Sequence, residues 1–164
     1  MKKTVASEKN GGGSTLADDS ARKRERVDDD SYESLLDLEE RNIGGLIERI
    51  ENGLPYGSWE RFLRTTRMNK DDAIELLGMN PRTLKRRKAA GRFRPDESER
   101  LIRSARVFQR ASGLFAGDVD STLAWLKAPK IALGGATPLK YAETEIGARE
   151  VEDFIGRIEH GILS

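Results

Sequence analysis

Within four residues, Gly78-Met79-Asn80-Pro81, the chain ends one helix and begins another, and this constrains the fold more than any other stretch. Asn80 is a side chain suited to cap a helix, and Pro81 falls at the first helical position, where its missing N–H is not needed. Gly78 supplies the left-handed stop. Two short helices joined this tightly must cross at a steep angle and pack on each other, which is the geometry of a helix-turn-helix. The first of them is capped at Asn69, with Asp72 three positions on. It carries Ala73, Ile74, Leu76 and Leu77 as its core face. The second runs to about Ala90 and stops at Gly91. Leu77, Met79 and Leu84 sit where the pair must touch.

The same grammar recurs along the chain. Ile43, Leu46, Ile47 and Ile50 fall at i, i+3, i+4, i+7, which predicts one buried helix face, closed by Gly53 with Pro55 following. Ser58 is expected to cap a helix burying Trp59, Phe62 and Leu63. Asp96, after Pro95, is expected to cap a longer one with Leu101, Ile102, Ala105 and Phe108 inward, ending at Gly113. Asp118 starts a helix with Leu123, Trp125 and Leu126 that closes before Pro129. A glycine turn at Gly134-Gly135 leads to Thr137 as cap and Pro138 as first residue of a short helix. The last helix carries Val151, Phe154, Ile155 and Ile158 at i, i+3, i+4, i+7. No segment alternates with a period of two, so the fold is read as all-α. Residues 1–34 read as a disordered segment, 35–112 as the helix-turn-helix domain, and 113–164 as a small C-terminal helical domain.

Net charge is only +1, but it is segregated. Residues 28–52 hold nine acids against Arg41 and Arg49, and residues 81–110 hold eleven bases against Asp96, Glu97 and Glu99. Pro81 to Arg94 contains seven bases and no acid. A basic block on the second helix of such a motif suits a recognition helix in the major groove of operator DNA. Arg82, Thr83, Lys85, Arg86, Arg87 and Lys88 are the candidate DNA-binding residues, and seven or so phosphate contacts would make binding strongly salt-dependent. The pattern departs from the motif twice: Ile74 stands where alanine is usual, and Arg87 where a late apolar residue is usual. The bland alternative is a solvated basic helix in an ordinary bundle. Arg22-Lys23-Arg24-Glu25-Arg26 reads as a solvated tail, with an auxiliary DNA arm as its alternative.

Other classes are poorly supplied. The chain has no cysteine and one histidine, His160, which rules out thiolate zinc sites, thiol nucleophiles and multi-histidine metal sites. Gly134-Gly135 lacks the context and lysine of a phosphate-binding loop. No enzyme activity, metal or cofactor is expected. With 37% hydrophobic and 35% charged residues, and neither a spanning stretch nor a signal peptide in view, the expected place is the cytoplasm, without membrane contact.

With these motifs placed, the chain resembles antitoxins of the Xre/MbcA/ParS group, the kind paired with RES-domain toxins. The resemblance spans roughly Leu46 to Ser164. It rests on Asn80-Pro81-Arg82-Thr83-Leu84-Lys85-Arg86-Arg87, on Glu97-Ser98-Glu99-Arg100-Leu101 and on Trp125-Leu126. It rests most on Leu133-Gly134-Gly135-Ala136-Thr137-Pro138-Leu139 with Thr144-Glu145-Ile146-Gly147. It implies an Xre-like helix-turn-helix domain that binds its own operator, followed by a C-terminal domain that binds the toxin. Toxins of that class break down NAD⁺, and the antitoxin's C-terminal end enters the toxin's active-site cleft. Carried onto this chain, Gly161, Ile162, Leu163 and Ser164 would be the toxin-binding residues, Gly161 releasing the helix just before the end. A homodimer is expected, because helix-turn-helix proteins read paired half-sites. Trp125 and the 46–63 region are candidates for its interface, with simple core as the favoured reading of both. A stand-alone transcriptional regulator without a toxin partner is the alternative from a different class, and a polar or partition adaptor is a third.

Overall fold

The computed structural model describes residues 32–38 and 42–161, and among them the architecture is all helical. The elements are α1 (Tyr32–Leu36), α2 (Ile43–Asn52), α3 (Tyr56–Thr66), α4 (Lys70–Leu76), α5 (Pro81–Ala90), α6 (Pro95–Gly113), α7 (Val119–Lys127), α8 (Pro138–Tyr141) and α9 (Glu145–Glu159), with a short 3₁₀ turn at Ile131–Leu133. Apart from these there is an isolated bridge between Pro55 and Arg92. It is held by Phe93 N–H donating to Leu54 O (2.9 Å) and Tyr56 N–H donating to Gly91 O (2.9 Å).

The caps explain most of the boundaries. Asn69, Asn80, Asp118 and Thr137 each accept a hydrogen bond from the backbone N–H three residues on, as their positions in the sequence imply. Asn42 and Thr144 do the same for α2 and α9. Two expected caps are corrected. Ser58 lies inside α3, buried, and the helix starts directly after Pro55, whose φ of −60° leads into it. Asp96 is the second residue of α6, because Pro95 takes the first helical position and Arg94 precedes it. The Glu97 carboxylate accepts the Arg94 N–H at 2.8 Å, the reach-back half of a capping box.

Helix α6 is the axis of the molecule. Leu101, Ala105, Phe108 and Ala111 are buried along its length. It packs against α1, α2 and α3 on one side and against α7 and α9 on another. The aromatic heart of the first half is Trp59, Phe62 and Phe108, with Phe62 edge-on to Phe108 at 6.4 Å. Helix α1 starts at Tyr32, inside the segment expected to be disordered, and its Leu35 and Leu36 are fully buried between α3 and α6. Arg61 fixes it by donating to Ser34 O at 2.7 Å. Residues 1–31, including the basic Arg22–Arg26 stretch, lie outside the described residues.

Helix α2 departs from expectation. Periodicity assigns it a buried face, yet none of its residues is buried; Leu46 and Ile50 are half-buried against the core, while Ile43 is 79% and Ile47 50% exposed. Helix α9 does bury Ala148, Val151 and Ile155 against α6. An ionic ladder runs beside this seam. Arg106 Nε meets Glu152 at 2.6 Å and its Nη2 meets Glu145 at 3.2 Å. Arg110 meets Glu159 at 2.8 Å, and Arg103 donates to Glu143 O at 2.8 Å. Burial alone would raise the Glu145 carboxyl, but hydrogen bonds from Arg149 and Arg106 outweigh it and hold the group below its ordinary value.

Candidate functional site

The helix-turn-helix is α4 and α5. Gly78, at φ +57°, turns the chain between them, and its N–H donates to Glu75 O (2.8 Å) while Met79 N–H donates to Ile74 O (3.1 Å). Leu77 and Leu84 are buried at the crossing and Met79 is half-buried beside them, as the motif requires. Ile74 is buried too, so the bulkier residue is accommodated in the core. Arg100 of α6 braces the turn, donating to Leu77 O and Gly78 O at 3.3 Å each.

The orientation of α5 follows from Leu84. With about 100° between successive residues, the side opposite Leu84 carries Arg82, Lys85, Arg86 and Ala89. All four are exposed, and Thr83 at the edge is half-exposed. No ion pair among the described residues occupies Arg82, Lys85 or Arg86, so this side presents three unneutralised cations.

The structure divides the other expected DNA contacts differently. Arg87 points inward. Its Nε lies 2.9 Å from Glu97 Oε1 and 2.6 Å from Oε2, with the two side chains only 12% and 6% exposed. Arg87 thus fills its late apolar position with a neutralised pair that ties the recognition helix to the start of α6. Lys88 leans over α3, 5.9 Å from the Tyr56 ring and 3.9 Å from Glu60. Arg92 donates to Asn52 O at 3.0 Å, and Arg94 lies 3.8 Å from Asp96. Of the seven bases, Arg82, Lys85 and Arg86 share the face opposite Leu84, Arg87 is half-buried in an ion pair, and Lys88, Arg92 and Arg94 remain exposed beside partners of their own. Lys127 pairs with Asp72 and Lys140 with Glu75 (3.5 Å), so α7 and α8 brace α4, a contact that no local pattern announces.

At the other end, α9 stops at Glu159 and His160 follows as an exposed cap residue. Gly161 has φ +68° and is exposed, and among the described residues nothing lies within 4 Å of where its Cβ would be. The left-handed φ of Gly161 ends the helical geometry of α9 at this residue. Ile162, Leu163 and Ser164 lie outside the described residues. Trp125, one candidate for a dimer contact, is half-buried and stacked on Phe154 at 6.0 Å with Lys130 4.9 Å from its ring centre. Among the described residues no helix is long and apolar enough to cross a membrane.

Two sequence models match in tandem. Residues 45–106 match the antitoxin Xre-like helix-turn-helix domain, and residues 110–161 match the antitoxin Xre/MbcA/ParS C-terminal toxin-binding domain. The antitoxin Xre of Photorhabdus laumondii is 39% identical over 116 residues, covering 70% of this chain and 78% of the relative. This chain belongs to the Xre antitoxin family. The antitoxin Xre of Yersinia enterocolitica is 38% identical over 120 residues, covering 73% and 81% of the two chains. That of Pseudomonas putida is 36% identical over 66 residues, 40% of this chain and 41% of its own. The exposed face of α5 falls inside the Xre-like match, and α7, α8 and α9 fall inside the Xre/MbcA/ParS match. The join between the two matches falls within α6, the helix that both halves share.

Proposed function

We propose that this Xre-family protein neutralises a RES-type, NAD⁺-degrading toxin by inserting its C-terminal end into the toxin's active site, and represses its own operon by binding operator DNA as a homodimer in the cytoplasm. Residues 35–112 carry the DNA function and 113–164 the toxin function. The observation that carries the reading is the tandem match to a helix-turn-helix and a toxin-binding model on a chain whose last helix lets go at Gly161. Arg82, Lys85 and Arg86 are the DNA-reading side chains, with Thr83 at the edge of the face. Arg87 and Lys88 support them from behind.

The tail chemistry fits an inhibitor of a dinucleotide-cleaving enzyme. Ile162 and Leu163 bury apolar area worth roughly 1.5–3 kcal/mol each when enclosed. The Ser164 hydroxyl supplies a hydrogen-bonding group where the enzyme would otherwise hold its polar substrate. The chain itself acts by occupancy and not by catalysis. The test is to co-express this chain with the protein encoded beside it, purify the pair, and follow NAD⁺. A stable complex that spares NAD⁺, beside a free partner that consumes it, is expected. A partner that neither co-purifies nor consumes NAD⁺ would overturn the toxin assignment and leave a stand-alone regulator.

A further inference from the structure

The stretch Leu133-Gly134-Gly135-Ala136-Thr137 is a closed, hydrogen-bonded loop. Gly135 N–H donates to Lys130 O (2.9 Å), Gly134 N–H to Ile131 O (2.9 Å), and Lys130 N–H to Ala136 O (3.0 Å). Gly134 and Gly135 sit at φ +65° and +84°, a region that side chains rarely adopt. Leu133 anchors the loop in the core. So fixed, the loop leaves Ile131 99% exposed. Next to Ala132, a cleft is lined by Tyr141, Thr144, Ile146 and Gly147, with Lys140 and Glu150 also contributing. Ile146 is 84% exposed, and Tyr141 is exposed as well. Gly147 sets this arrangement: a Cβ there would lie 1.8 Å from Tyr141 O, so only glycine lets α9 start hard against the end of α8.

We propose that Ile131, Tyr141 and Ile146 form an apolar docking patch for the body of the toxin, a contact separate from the C-terminal plug. The inference rests on the antitoxin reading above. Within the described part of the toxin-binding match, residues 110–161, these are the large apolar side chains left exposed. Exposed apolar side chains gathered at one cleft mark an interaction site more than scattered ones do; Tyr141 and Ile146 line the same cleft, and Ile131 directly precedes Ala132 of its lining. Their surroundings fit an interface, with an apolar centre and Lys140, Thr144 and Glu150 as a polar rim. Ile146 and the end of α9 are separated by about 20 Å of helix, so one globular partner can hold both patch and plug. Three side chains alone fall well short of the ~800 Å² per partner of a stable interface, so the patch fits a partner that also holds the C-terminal end of this same domain.

The test is calorimetric titration of full-length Ile131→Ser/Ile146→Ser chain into the toxin encoded beside it, with Ile43→Ser/Ile47→Ser on α2 as the control. The patch variant should bind at least about tenfold more weakly for each isoleucine replaced. Its melting temperature and operator affinity should be unchanged, and the α2 control should bind the toxin as the parent does. Toxin affinity within twofold of the parent overturns the patch while leaving the antitoxin reading intact. So does a variant that merely sediments as a smaller species, which would assign the patch to a second copy. A parent chain that fails to bind the toxin overturns the antitoxin reading, and the patch with it.

Discussion

Replacing Arg87 with methionine separates a DNA-binding role from a structural one. Arg87 and Glu97 are 12% and 6% exposed, and Glu97 makes one further hydrogen bond, to the Arg94 N–H. Methionine fills most of the arginine's space but leaves Glu97 buried without its cation. Removing one partner of a buried pair costs about 3–5 kcal/mol. The remaining Arg94 N–H favours the lower end, about 3 kcal/mol. For a chain of this size that is a fall of roughly 6–12 °C in melting temperature. The matched double variant Arg87→Met/Glu97→Leu removes both charges and should recover most of the stability, because a packed apolar pair is often as stable as a buried ionic one. Operator binding then gives the second readout. If Arg87 touches no phosphate, the slope of log K against log salt stays at the parent value when measured below the melting point. Removing a phosphate-binding cation would instead reduce the magnitude of that slope by about 0.9. An Arg87→Met chain with unchanged melting temperature and a slope reduced by that amount would refute the inward assignment.

Further outcomes follow from the same geometry. Arg82→Ala and Arg86→Ala should each weaken operator binding by about 1–3 kcal/mol if the side chain reads a base, and equally on random DNA if it holds a phosphate; competition against random DNA decides. Gly147→Ala should destabilise by about 1–3 kcal/mol or more, because its Cβ would meet a backbone carbonyl oxygen at 1.8 Å. Gly57→Ala, with nothing within 4 Å, should be neutral or slightly stabilising in the same melting assay. Glu145 is held below its ordinary value in the folded chain, so its contribution is complete above the unfolded glutamate value of about 4.3 and disappears as pH falls through the folded one. Acid melting curves should therefore fall less steeply below about pH 4 for Glu145→Gln, and an identical acid slope would contradict the α6–α9 ladder.

The helices were legible because their ends are local. Asn69, Asn80, Asp118 and Thr137 announce themselves by side chain and spacing, and the structure places a capping hydrogen bond at each. Ser58 and Asp96 mislead because proline fixes its own φ and moves the helix start ahead of the polar residue. Periodicity gives α2 an apolar face but cannot say whether anything lies opposite Ile43 and Ile47. Basic residues can be counted in a sequence but not apportioned. Arg87 is neutralised ten residues away at Glu97, and Arg106 and Arg110 more than forty residues away on α9. Those pairings belong to the tertiary fold. Arg87's apolar position in the motif is the one signal that it faces inward. Neither Ile131 nor Ile146 stands out, because an isolated isoleucine in a helical sequence looks like core until its exposure is known.

One chain is proposed to serve two separate partners, DNA through α5 and a toxin through its far end. A chain lacking residues 161–164, assayed in one preparation for operator affinity and for protection of NAD⁺ against the co-encoded toxin, tests this most directly. Operator affinity within twofold of the parent, together with loss of protection, is expected. Protection equal to that of the full chain, or a parallel fall in operator binding, would contradict it.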